Sequence, residues 1–434
     1  MTANEKQMAC SRRIAVISQL MHSLGLQISK VSTVAYSEDY QYTYNNYLFR
    51  VHLAVPATSS SFPGLQPGTA PAPSDGITSL LIKLSNGAAE ANITNRVEND
   101  VAAQYLVRKS MARAGLGSLI PAVYAWAPAK IQADAGADAT TNENNFGWTM
   151  MEFKHGVDLD SGFSALDSAE KEKVLQQTAT ILKAIQDAEL PETVTKFGGL
   201  TFNSAGQIIS GEPPLWKQDP AETYVDWKFG DLRNLMQKAG ESPVIQGWKH
   251  NGVGARVEKF LAAGGPETVL SNVDQHQKCL VHGDFSTNNI LFDGCTKQVT
   301  AILDFDWCTV SNPFDEFLLS LYDIGCNITY GQTKTDMALL SGDFTRPPTL
   351  EQEKEENWDM AEMWNAAMEK AGAASPRKIQ GASQIYDMLR LKRLLCPHHL
   401  SNASALAKMD EKTRAEVRAK TEADIVQWLE KHGF

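Results

Sequence analysis

"CLVHGDFSTNNILF", residues 279–292, decides how this chain folds. An apolar run from Cys279 to Val281 leads into a polar loop carrying one carboxylate, Asp284, and the loop leaves through a second apolar run, Ile290 to Phe292. Both runs read as buried strands, so the loop between them is held from both sides. Asn289 stands five residues after Asp284. Fifteen residues beyond Asn289, "AILDFDWC" gives another apolar strand, ending in Asp304.

Upstream, "ITSLLIKLS" reads as a strand with Lys83 near its end. A helix, "RVENDVAAQYLVRKSMARAGLG", follows with Glu98 and Asp100 in its first turns. Val97, Val101, Tyr105 and Ala112 are expected on its buried face, with Gly115 as its stop. Phosphoryl transfer asks little covalent chemistry of a protein. It needs a carboxylate to orient the attacking hydroxyl, oxygen ligands for Mg²⁺, and a cation on the nucleotide phosphates. Asp284, Asn289, Asp304 and Lys83 supply those groups in the order a kinase-like chain presents them. A loop aspartate commonly just caps local amides. The joint spacing of the four favours chemistry over that plainer role.

"HGDFSTNN", "ILDFDW" and "NPFDEF" together resemble the aminoglycoside phosphotransferase and choline kinase superfamily, the small-molecule branch of the protein-kinase fold. "NNYLFRVHL", "IPAVYAWA", "MEFKHGVDL" and "KFGGLTF" are similar to its fungal members, and the likeness spans roughly residues 31 to 325. The resemblance implies an α+β, bilobal, protein-kinase-like fold. An N-terminal helical extension would occupy 1–30, and a small β-rich nucleotide-binding lobe 31–151, with a loop insertion at 56–76. A hinge at 152–157 would lead to a larger α-helical lobe, 158–434, holding the catalytic loop and acceptor-binding helices.

The implied activity is transfer of the γ-phosphate of ATP, assisted by Mg²⁺, to a hydroxyl of a small molecule. Asp284 would be the catalytic carboxylate, with Asn289 and Asp304 holding the metal. Lys83 would contact the α- and β-phosphates, with Asp100 or Glu98 as its carboxylate partner. The backbone of Met151, Glu152 and Phe153 would read the adenine edge. His282 would be a structural member of the loop, and Asp315 would brace that loop from below.

Three departures from protein kinases point to a small acceptor. Ser286 stands where they carry a lysine, Asp306 replaces the glycine of their metal-binding motif, and ten residues separate Asp304 from Asp315, too few for a peptide-docking segment. Asp306 and Trp307 are expected to be structural. The first hairpin turn, "YSEDYQYTYNN", has no glycine and places Glu38 and Asp39 near its tip, where they would repel phosphates. That leaves a second possible function, a kinase-fold binding module without transfer activity.

Bulk properties fit either outcome. A net charge of −11 over 434 residues argues against sequence-independent nucleic-acid binding. Six cysteines without a CxxC pair suggest reduced thiols and a cytoplasmic setting. The N-terminus lacks a signal-peptide core; Ile14, Ile17, Leu20, Met21 and Leu24 fall instead on one helical face. No apolar run approaches the ~20 residues of a membrane span. Asp167 with Glu170 is expected to cap a helix whose buried stripe is Val174, Thr178, Ile181 and Ile185. The acidic run at 351–362 reads as a solvated helix face, and His398 and His399 as surface residues.

Overall fold

Apolar residues alternate along Asn46–Ala57 and Ile77–Ser85, and that period-two pattern builds the N-terminal sheet. The computed structural model describes residues 3–37, 44–87, 89, 94–129, 146–215, 217–318, 320–329, 331–348 and 357–434. After helix α1 (Ala3–Ser23) come β1 (Ile28–Val34), β2 (Asn46–Ala57), β3 (Ile77–Ser85), α2 (Arg96–Arg113), β4 (Val123–Ala127) and β5 (Trp148–Glu152). The strands form one antiparallel sheet in the order β1-β2-β3-β5-β4.

Its register sets Leu48, Lys83 and Thr149 side by side on one face. Phe49, Ile82, Leu84 and Met150 point the other way, into a core that also holds Ile17 and Met21 of α1. The N-terminal helix is thus part of the sheet's own core, and the sheet begins at Ile28, three residues before the expected lobe boundary. The insertion after β2 is not simply an exposed loop. Phe62 is buried in the same core, and Gln66 exchanges hydrogen bonds with the Trp126 backbone at 2.7 and 3.2 Å.

On α2 the expected stripe needs correction. Val97, Val101, Gln104, Val107 and Met111 lie inward, whereas Tyr105 is 42% exposed and Ala112 is exposed. Successive steps of four, three, three and four residues track the buried face, and Tyr105 falls just past it. Gly115 does end the helix, with φ +74° and its N–H on the Ala112 carbonyl.

Short strand β6 (Val157–Asp158) and helix α3 (Leu159–Phe163) precede α4 (Ser168–Gln186). Asp167 and Glu170 form a reciprocal capping box on α4, and the expected stripe is buried. After the hairpin β7 (Gly199–Phe202) and β8 (Ile208–Gly211) come β9 (Cys279–Val281), β10 (Ile290–Asp293), β11 (Gln298–Ile302) and β12 (Thr309–Ser311). The two runs flanking Asp284 do not pair with each other. β9 pairs with β12, while β10 lies between β11 and β6.

The chain divides into two compact units, Met1–Pro220 with Lys278–Cys326 and Ala366–Ala373, and Ala221–Gln277 with Asn327–Asn365 and Ala374–Phe434. The expected hinge at 152–157 lies inside the first. The second is helical, with Trp248 and Trp428 donating to the carbonyls of Leu395 and Asp387. Among the described residues, no helix is long and apolar enough to cross a membrane.

Candidate active site

All the groups singled out by the 279–315 motifs and Lys83 fall in the first unit. The loop after β9 starts with His282, fully buried, its ring 4.6 Å from that of Phe305. Nδ1 accepts from the Asp284 N–H at 3.3 Å, so Nε2 donates to the Leu303 carbonyl at 3.1 Å. Burial pushes the imidazole down to about 4, which keeps it neutral in this role. Gly283 has φ +78°, and a Cβ there would meet the Trp307 carbonyl oxygen at 2.5 Å. Only glycine fits that turn.

The loop is held from below by a residue the sequence reading did not single out. Glu316, 1% exposed, accepts from the N–H groups of His282 at 2.5 Å and Gly283 at 3.3 Å, and from Ser320 Oγ at 2.6 Å. Asp315, which the sequence pointed to, takes the Ser311 hydroxyl. In the 3₁₀ turn Pro313–Leu318 adjacent side chains point to different sides, and Glu316 is the inward one.

Asn289 donates through Nδ2 to the Asp284 carbonyl at 2.8 Å and to its Oδ2 at 3.0 Å. Burial, and then the charge of Asp304, push the Asp284 carboxyl up to about 6 against that hydrogen bond. Asp323 adds to the shift and was not foreseen. Its carboxylate accepts from the Thr287 N–H at 2.7 Å and from the Thr287 hydroxyl, pinning the loop's far side.

Asp304 sits just past β11 with φ +58°, a conformation uncommon outside glycine. Lys83 Nζ lies 3.0 Å from Asp304 Oδ1 and 3.1 Å from Asp100 Oδ2. The choice between Asp100 and Glu98 is thereby resolved: Asp100 faces Lys83, and half-buried Glu98 is shifted upward by burial alone. Lys83 also pairs with Asp306. Burial disfavours its ammonium, but three carboxylates outweigh that and hold it above the ordinary lysine value. Asp100 is pushed up to about 6 by burial, with Lys83 opposing.

Asp306 is structural, as expected. Arg96 reaches its Oδ2 through Nε at 3.2 Å and Nη2 at 2.7 Å, and Asn46 does so at 2.6 Å. Burial works against this carboxylate, yet Lys83 and Arg96 hold it well below the usual range. A charge this deep is tolerated only when so fully paired.

A cavity of about 550 Å³ opens on these groups. Leu48 and Leu81 lie on one wall and Leu291 and Leu303 on the other, with Lys83, Asn289 and Asp304 at the polar end. Met151, Glu152 and Phe153 also line it. The Glu152 N–H is turned away, to the Ala122 carbonyl at 2.8 Å, and its carboxylate holds Lys154 at 2.6 Å. Phe153 stacks beneath the Arg50 guanidinium at 3.9 Å. Gln104, on the buried side of α2, lines the cavity as well and carried no sequence signal. Glu38 and Asp39 lie outside the described residues. Among the described residues no three His, Cys, Asp or Glu side chains cluster as a metal cage.

Residues 92–342 match the profile of the phosphotransferase enzyme family, more than half of the chain. The chain belongs to that family. No match was found among curated proteins. Similar solved structures include the streptomycin–ATP complex of aminoglycoside phosphotransferase APH(2")-IIa, 12% identical with TM-score 0.48 over 95% of this chain and 97% of that one. ADP-bound APH(2'')-Ib is 13% identical with TM-score 0.44, covering 97% and 99%. An ethanolamine kinase from Plasmodium vivax is 11% identical with TM-score 0.36, covering 91% and 82%. Within that family this is an α+β chain, a β-rich N-terminal sheet followed by a mainly helical remainder.

Proposed function

We propose that this phosphotransferase moves the γ-phosphoryl group of ATP to a hydroxyl of a small molecule, with Mg²⁺. The observation that carries this is the convergence of Lys83, Asn289 and Asp304 on one cavity, with Asp284 tied to Asn289 at 3.0 Å. Nucleotide binding belongs to the sheet within 31–151 and the hinge at 152–157, and acceptor binding to helices within 158–434.

The purine lies between the leucine walls and Lys83 meets the α- and β-phosphates. The acceptor oxygen attacks the γ-phosphorus, the bond to the β–γ bridging oxygen breaks, and ADP leaves with that electron pair. Asp284 accepts the hydroxyl proton, a task suited to a carboxylate whose pKa lies near 6. His282, Glu316 and Asp323 hold the loop so that Asp284 needs no rearrangement.

The side chains fit Mg²⁺. Asn289 commits Nδ2 to Asp284, which leaves Oδ1 as a hard oxygen donor, and Asp304 is about one-third exposed. Two protein oxygens suffice where phosphates and water complete the octahedron. When bound, the metal would neutralise charge on the phosphate oxygens. Six free thiols suit a reducing, cytoplasmic setting.

The test is incubation of wild type and Asp284→Asn with Mg²⁺, γ-labelled ATP and a pool of hydroxylated small molecules, read by mass shift. Label transfer by wild type, reduced about 10²–10⁴-fold in the variant, is expected. ATP binding with no transfer to any acceptor would favour the binding module instead.

A further inference from the structure

Asp306 replaces the glycine of the protein-kinase metal motif, two residues past Asp304, and takes no direct part in the proposed transfer. Its carboxylate is buried and faces two partners. Oδ2 accepts from Arg96 through Nε at 3.2 Å and Nη2 at 2.7 Å, and from Asn46 Nδ2 at 2.6 Å. Oδ1 lies against Lys83 Nζ, which also meets Asp100 Oδ2 at 3.1 Å. Arg96 and Asp100 are four residues apart on α2, hence neighbours on one helix face. The contacts run from Arg96 to Asp306 to Lys83 to Asp100 and close through one helical turn. Two cations and two carboxylates alternate along that circuit, all four buried, and their formal charges cancel. Asp304, the third carboxylate on Lys83, is surplus to this balance, and with its side chain 35% exposed it is the accessible one.

We infer that Asp306, gripped by Arg96, is a positioning residue that fixes the Lys83 ammonium for the nucleotide phosphates. The inference rests on the proposal that Lys83 meets those phosphates. A lysine ends in a point charge on a flexible four-carbon stem, so a single partner leaves its direction loose. Two buried carboxylates, one on α2 and one after β11, restrain it from separate segments. Asp306 is itself held by the planar fork of Arg96, which a point charge could not supply. Neither Arg96 nor Asp306 lines the cavity, so both act through Lys83. Because the circuit is neutral without Asp304, that carboxylate is left for a divalent cation and is not needed as the counter-ion of the lysine.

The test measures Kd for Mg·ADP and for adenosine, which has no phosphate, in wild type, Arg96→Lys and Asp306→Asn. Wild type is expected to prefer Mg·ADP by about tenfold or more, the scale of a hydrogen bond to a charged group. Arg96→Lys keeps every charge but loses the two-pronged grip on Oδ2. Its preference for Mg·ADP should fall by about threefold or more, with adenosine bound within about twofold of wild type. Asp306→Asn separates placement from charge. Losing a negative charge near the phosphates would by itself tighten Mg·ADP, whereas losing the anchor weakens it, and weakening by about tenfold is expected. Tighter or unchanged Mg·ADP in Asp306→Asn overturns the inference. So does an Arg96→Lys variant that keeps the full preference, even with a lowered thermal midpoint, since the pair would then serve stability alone. If Asp306→Asn does not fold, Arg96→Lys decides by itself. Failure of wild type to bind Mg·ADP overturns this inference together with the proposed function, whereas a preference shared equally by wild type and Arg96→Lys overturns this inference alone.

Discussion

Two carboxylates at the Asp284 loop, one on it and one beneath it, would perform different tasks in the proposed transfer because their surroundings differ. Asp284 is raised to about 6 by burial and by Asp304. In the proposed transfer its ionised form accepts the proton, so lowering the pH through that value would convert it to the inactive acid. The rate is expected to fall below about pH 6 with a slope approaching one, and the pH profile of kcat/KM measures it directly. Asp284→Asn should lose the limb as well as most of the rate. Glu316 never meets substrate in this scheme, yet three donors converge on it. Glu316→Gln keeps the volume but turns one acceptor into a donor facing an N–H or a hydroxyl. A loss of about 1–3 kcal/mol in denaturant stability is expected, with a lower kcat and a nearly unchanged nucleotide Kd. An unaltered kcat would show that the loop holds its shape without this brace.

At the scale of elements, the strand-borne and loop-borne groups were legible in the sequence, and the pairings between distant segments were not. Period-two runs marked β2 and β3, and the Asp167 and Glu170 pair marked the start of α4. The spacing from Asp284 to Asn289 to Asp304 follows from a strand, a turn and a strand, all local in the chain. Tyr105 was misplaced because a helix buried over a wide arc shows no clean stripe to set the phase. Glu316 went unnoticed because a buried glutamate is rare and local pattern says nothing of what packs against a 3₁₀ turn. Arg96 and Asp306 stand 210 positions apart, and only the folded chain joins them. That pair ties the start of α2 to the segment after β11. Arg96→Leu leaves Asp306 a buried charge short of its bidentate partner, and about 3–5 kcal/mol of stability should be lost in chemical denaturation. A loss below about 1 kcal/mol would mean Lys83 and Asn46 suffice to hold Asp306.

At the scale of the whole chain, the charge in the cavity makes stability depend on ligand. Asp304, Asp100 and Asp306 gather around Lys83, with Arg96 also on Asp306, and Asp284 and Asp100 are shifted upward by burial first and then by neighbouring carboxylates. A divalent cation arriving with triphosphate would relieve the repulsion between Asp304 and Asp284, so nucleotide with Mg²⁺ should stabilise more than nucleotide with chelator. Saturation at 100 times Kd contributes about 2.7 kcal/mol by mass action, enough to move the thermal midpoint by several degrees. The groups concerned belong to the first compact unit alone. Hydrogen exchange should therefore slow most around β3, α2 and the segment from β9 to β11 when Mg·ATP binds. In the second unit, the helices Val253–Ala262 and Glu411–Lys431 should exchange as before. Protection gained equally in those helices would place the nucleotide somewhere other than the Lys83 cavity. A midpoint unmoved by Mg·ATP would remove the nucleotide from the account altogether.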